Sequence, residues 1–134
     1  MKPYYKTDLG ELYCGDCLDI LPNIQLNGSV ILTDPIWPNN SVPEFERINP
    51  YNLFCEAAEL WSGVKTVCIQ LGCDSDPHIL SAVKLPFVRV QWLRFALPGH
   101  KGRILYSGDV GYMFGEIPPV IEKHRLLRGE ITSS

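Results

Sequence analysis

The run Ser29-Val30-Ile31-Leu32-Thr33-Asp34-Pro35-Ile36-Trp37-Pro38 decides how this chain is read. Its short apolar core, rich in β-branched residues and bounded by Gly28 and Pro35, predicts a buried central strand. Pro35 has no amide hydrogen and cannot continue a ladder, so the strand is expected to end near Asp34. A carboxylate then stands at a strand's carboxyl end, where open α/β sheets place their ligands. The plain alternative is that Asp-Pro is turn chemistry and Trp37 a packing residue.

This arrangement suits transfer to an exocyclic amino group. The amino nitrogen of adenine or cytosine is a poor nucleophile, because its lone pair is delocalised into the ring. Asp34 can accept one N–H and the main-chain carbonyl of Pro35 the other. Held so, the nitrogen becomes more tetrahedral and can attack an activated methyl in line, a gain of positioning and electrostatics. Trp37 offers a flat face for a base swung out of a duplex.

Upstream, Tyr4-Tyr5-x-x-Asp8-Leu9-Gly10-x-Leu12-Tyr13-x-Gly15-Asp16-Cys17-Leu18-x-x-Leu21-Pro22 precedes this strand. The two stretches together resemble the start of the amino-group DNA methyltransferases of the permuted type, which place the catalytic motif ahead of the cofactor motif. The resemblance implies S-adenosylmethionine as cofactor, double-stranded DNA as partner, and Asp34, Pro35 and Trp37 as catalytic residues. It implies Asp16 at the adenine end of the cofactor. The family's signature has a second proline where this chain has Ile36, a departure that loosens the loop but spares the carboxylate, the prolyl carbonyl and the ring. Asp16 also suits a helix N-cap, and the two roles are compatible.

With 134 residues the chain is expected to form one domain, spanning 1–134. No apolar run approaches membrane-spanning length, no signal-peptide pattern opens the chain, and five cysteines form no regular framework, so a cytoplasmic protein with reduced thiols is expected. Residues 1–76 carry four Lys/Arg against eleven Asp/Glu, whereas 77–134 carry eight against four. An acidic half followed by a basic half suits a catalytic pocket with a phosphate-facing wall, although chance clustering on solvated faces gives the same count.

The remaining pattern predicts a strand over Glu11–Cys14, a brief helix over Cys17–Leu21, and a loop over 38–46 placed to close on a flipped base. A helix over Tyr51–Trp61 follows the start signal Asn49-Pro50, and its stripe Leu53, Phe54, Ala57, Leu60, Trp61 is assigned to packing. Then come a strand over Thr66–Leu71, a helix over Pro77–Lys84, a strand over Phe87–Phe95, a loop over Leu97–Gly102 and a strand over Asp109–Phe114. Ile121–Arg128 reads as a surface segment or short basic helix. Cys14-x-x-Cys17 could suggest zinc or redox chemistry, but the second pair, Cys68 and Cys73, is loosely spaced and Cys14 and Cys68 fall in predicted strands, so structural thiols are expected and no metal. Glycines and cations in Pro98-Gly99-His100-Lys101-Gly102-Arg103 make Lys101 and Arg103 the candidate nucleic-acid contacts.

The fold expected is α/β: a three-layer, Rossmann-like methyltransferase sheet, mostly parallel, with an antiparallel hairpin at one edge and incomplete at its C-terminal side. The Gly-rich turn that receives the methionine half of the cofactor in that family is not found before Ser134. Two readings stand: a piece of a longer methyltransferase from a phage or restriction-modification setting, or a reduced relative that binds nucleic acid or a protein without catalysis. A half-sheet would leave an edge unpaired, which makes a homo-oligomer a further expectation. Incubation of this chain alone with labelled S-adenosylmethionine and duplex DNA is expected to give no turnover; turnover that Asp34→Ala abolishes would contradict this.

Overall fold

The computed structural model describes residues 1–39, 42–43 and 48–117. In chain order these form β1 (Tyr5–Thr7), β2 (Gly10–Leu12), α1 (Cys17–Ile20), β3 (Val30–Thr33), α2 (Pro50–Glu59), β4 (Thr66–Leu71), β5 (Phe87–Lys101) and β6 (Ile104–Gly115). Short 3-10 turns cover Leu21–Asn23 and Pro77–Ala82. The lead-in is an ordered antiparallel hairpin, β1 on β2, and Cys14 lies beyond the end of β2. Lys6 and the Tyr13 hydroxyl both donate to the Glu11 carboxylate, and these bonds lower its pKa.

The main sheet has the order β3-β4-β6-β5. β3 and β4 are parallel and joined through α2; β4–β6 and β6–β5 are antiparallel. The sheet is therefore mixed rather than mostly parallel. Val67, Ile69 and Leu71 of β4 point to one face with Phe114 of β6, and there they meet Phe54 of α2 and Ile79 and Leu80 of the second 3-10 turn. Asn49 starts α2 as expected: its side chain accepts from the Asn52 amide, and Pro50 occupies the first turn. The Pro77 segment stays 3-10 and stops at Ala82, short of the expected Lys84, because Val83 turns to extended backbone with φ −76° and ψ 117°.

Three expectations are corrected. β3 is an edge strand among the described residues, not a central one, and Val30 and Leu32 are 68% and 79% exposed. Leu32 is in register with Cys68 and Met113 on the sheet face opposite the core, and no described element covers that face. The described residues thus form two layers, not three. The segment 97–102 is not a loop: β5 continues to Lys101 and β6 begins at Ile104. β5 advances from Arg94 to Gly99 while β6 advances only from Tyr106 to Gly108, so the extra residues form a bulge, and Pro98 sits where no ladder bond is required. The stretch 121–128 and residues 40, 41 and 44–46 of the loop expected to close on a base lie outside the described residues. Among the described residues no helix is long and apolar enough to cross a membrane.

Truncation reads this sidedness directly. Ile69→Ala, at a fully buried site, is expected to cost about 2–5 kcal/mol in urea unfolding. Leu32→Ala is expected to change stability by no more than about 0.5 kcal/mol. A comparable loss at Leu32 would mean that a further layer covers the open face.

Candidate functional site

Asp16 and Asp34 reach the same place by different local devices. Asp16 ends the turn after β2 in extended backbone, and its Oδ1 accepts from the Leu18 amide at 2.9 Å, capping α1. Asp34 follows the last ladder residue of β3, Thr33, and is exposed. Pro35 stops the ladder there and turns the chain away. Both acids, with Pro35, line one cleft of about 520 Å³ at the carboxyl end of β3.

The cleft has three walls. Gly15, Asp16 and Cys17 form one, Thr33 to Ile36 the second, and Leu53, Phe54, Ala57 and Trp61 the third. Phe54 and Trp61 meet edge to face at 5.5 Å, which stiffens the apolar wall. The helical stripe assigned to packing therefore serves two purposes: Phe54 belongs to the core and also faces the cleft, beside Leu53 and Ala57. Sequence offered no way to separate these roles, since both use apolar residues at helical spacing. The Cys17 thiol is pushed up, first by burial and then by the Asp16 carboxylate, which keeps it protonated and unsuited to nucleophilic attack. Among the described residues no three His, Cys, Asp or Glu side chains gather as a metal set.

Trp37 is placed differently from its neighbours. It is half-buried, packs against the core and is not among the residues lining the cleft. Its indole Nε1–H donates to Asp34 Oδ1 at 2.7 Å, the length of a strong, charge-assisted bond. The ring lies on the backbone at Gly72, where an added Cβ would come within 2.7 Å of Cζ3 and 2.9 Å of Cε3. A second tie, Ser75 Oγ to Asn39 Oδ1 at 2.7 Å, joins the same two loops. The indole thus fixes one carboxylate oxygen of Asp34 and leaves Oδ2 for another donor.

Lys101 and Arg103 do not join this cleft. Lys101 closes β5 and Arg103 lies in the two-residue turn before β6, where Gly102 takes φ +62°, a left-handed conformation that glycine adopts without strain. β6 is antiparallel to β4, so the hairpin extends from the same end of the sheet at which Asp34 sits.

Gly72→Ala tests the indole seat. It is expected to move the Trp37 indole N–H resonance in a proton–nitrogen NMR spectrum to the position it takes in Asp34→Ala, and to cost about 1–3 kcal/mol of stability. An unmoved resonance would mean that Trp37 is held by something other than Gly72 and Asp34. Compared with protein-family models and with curated proteins, the chain gives no match, so its functional reading rests on this geometry.

Proposed function

We propose that this chain carries the base-gripping part of an amino-group DNA methyltransferase acting on adenine N6 or cytosine N4. The observation that carries the reading is the convergence of Asp16, Asp34 and Pro35 on one apolar-walled cleft at a strand's carboxyl end. Its volume lies within the range of small-molecule sites. The pairing of parallel β3 and β4 with an antiparallel β6 supports a Rossmann-like half-sheet.

In this reading the base amino group enters beside Asp34. Oδ2 accepts one N–H, while the Trp37 indole holds Oδ1 and so orients the carboxylate. The Pro35 carbonyl accepts the second N–H. With both hydrogens engaged, the nitrogen lone pair is drawn out of conjugation and aimed along the cleft. Asp16, whose Oδ1 is occupied by its cap bond, keeps its other oxygen for a sugar hydroxyl. S-adenosylmethionine, when bound, supplies the activated methyl; the walls from Leu53 to Trp61 offer its adenosine portion an apolar surface. The ring of Trp37 serves in this scheme by orientation more than by stacking, because it lies outside the cleft.

The test uses the amino group itself. Adenosine or cytidine, titrated by NMR, is expected to shift the amides of Asp16, Thr33, Asp34 and Ile36 at concentrations several-fold below those needed for inosine or uridine. A factor of about 3–10 corresponds to one hydrogen bond. Asp34→Ala should erase that preference. Equal binding of the amino and keto bases by the unaltered chain would sink this reading and leave a remnant that binds without amino-group chemistry.

A further inference from the structure

The antiparallel part of the sheet outruns its parallel part. β4 stops at Leu71, opposite Val110, yet β6 begins six residues earlier at Ile104 and β5 accompanies it to Lys101. At about 3.4 Å per residue this two-stranded arm projects roughly 20 Å past the end of β4. A two-stranded ribbon is marginal in water by itself, so this one is held by its base and suited to a partner along its length.

Its side chains define the partner's chemistry. The arm carries Arg94, His100, Lys101 and Arg103, and its acid, Asp109, sits at the base, where Gln70 Nε2 donates to it at 3.2 Å. Arg94, His100 and Arg103 are exposed, with no hydrogen-bond or ion-pair partner among the described residues. Leu97, Ile104 and Leu105 stand exposed between them. Unpaired arginines interleaved with apolar side chains on a narrow protruding ribbon fit a surface that offers regularly spaced phosphates and apolar base edges.

We infer that the β5–β6 arm is a β-ribbon that lies in the major groove of duplex DNA. Two strands about 4.8 Å apart, with their side chains, are roughly 10 Å across. The major groove is about 12 Å wide and admits such a ribbon, whereas the minor groove, about 6 Å wide, does not. The cations meet phosphates along the groove walls, and the ribbon face that carries Ile104 meets thymine methyl groups on its floor. The arm leaves the sheet at the end that carries Asp34, so a duplex gripped there lies over the mouth of the cleft. This extends the proposed function by naming the duplex and its groove, and it rests on that reading only for what enters the cleft.

The experiment is fluorescence anisotropy of a labelled 20-base-pair duplex across a salt series, with the unaltered chain and with Arg94→Ala/Arg103→Ala. Both positions are exposed, and circular dichroism checks that the fold is kept. The double variant is expected to bind more weakly, with the slope of log K against log salt reduced by about 1.8 for two lost phosphate contacts. Methyl green, a major-groove ligand, should compete, netropsin, a minor-groove ligand, should not, and a single strand should bind less well. Absence of duplex binding, an unchanged slope, equal affinity for single strands, or competition by netropsin alone would overturn the inference. So would a dimer that the double variant dissolves, which would make the arm a self-association surface. The nucleoside titration above reports on Asp34 alone, so either result can fail while the other stands.

Discussion

The parallel pairing of β3 with β4 is the constraint on which the rest of the site depends. Its register sets Thr33 beside Ile69, so the chain that leaves β3 at Asp34 and the chain that leaves β4 at Gly72 emerge side by side. Only then can the Trp37 ring lie on the Gly72 backbone and return its N–H to Asp34. A slip of one residue would turn Ile31 and Thr33 to the open face and carry the carboxylate away from that seat. The register is held by burial: Val67, Ile69 and Leu71 are sealed against Phe54, Ile79 and Leu80, which permits one facing only.

The same sheet is unequal on its two faces. One face has a helix and a 3-10 turn packed on it; the other presents Val30, Leu32, Cys68 and Met113 with no described cover. The outer edge of β3 also carries none of the usual protections, neither charge, proline nor bulge, within Val30–Thr33. Burial on a single side concentrates stability in β4 and leaves β3 held chiefly by its ladder with that strand. The site is built on the loop that follows this more weakly held strand, and two cross-loop contacts, the Trp37 ring on the Gly72 backbone and Ser75 Oγ to Asn39 Oδ1, fasten that loop to the well-packed side of the sheet.

In the proposed reading, the cleft and the arm divide the work of recognition. The cleft is concave and mostly apolar with two carboxylates, suited to a flat heteroaromatic group bearing hydrogen-bond donors. The arm is convex and cationic, suited to an extended anion. Both open from the carboxyl end of the parallel strands; Asp16 and Asp34 of the acidic first half line the cleft, and Arg94, Lys101 and Arg103 of the basic second half stand on the arm. That reading assigns long-range attraction and local chemistry to separate elements of one sheet.

What the amino acids determined by themselves were the features that act over one to four residues. Pro35 ends β3 because it lacks an N–H; Asn49-Pro50 starts α2 and Asp16 caps α1 because a short polar side chain reaches the next free amides; the β-branched run Thr66–Leu71 forms a strand. What only the tertiary structure decided were the features that depend on which distant segments meet. An apolar run such as Val30–Leu32 reads as buried whether or not a neighbour arrives to bury it, so its edge position was invisible. Pro98, Gly99 and Gly102 spelled a loop, yet pairing across the hairpin tolerates a bulge and draws β5 on to Lys101. Leu53 and Ala57 became cleft wall because α1 and the post-β3 loop stop short of them, and Trp37 left the cleft because Gly72, thirty-five residues away, offers bare backbone. Local backbone chemistry is written in the residues that perform it; register, coverage and vacancy are properties of pairs of segments, and only the folded chain defines them.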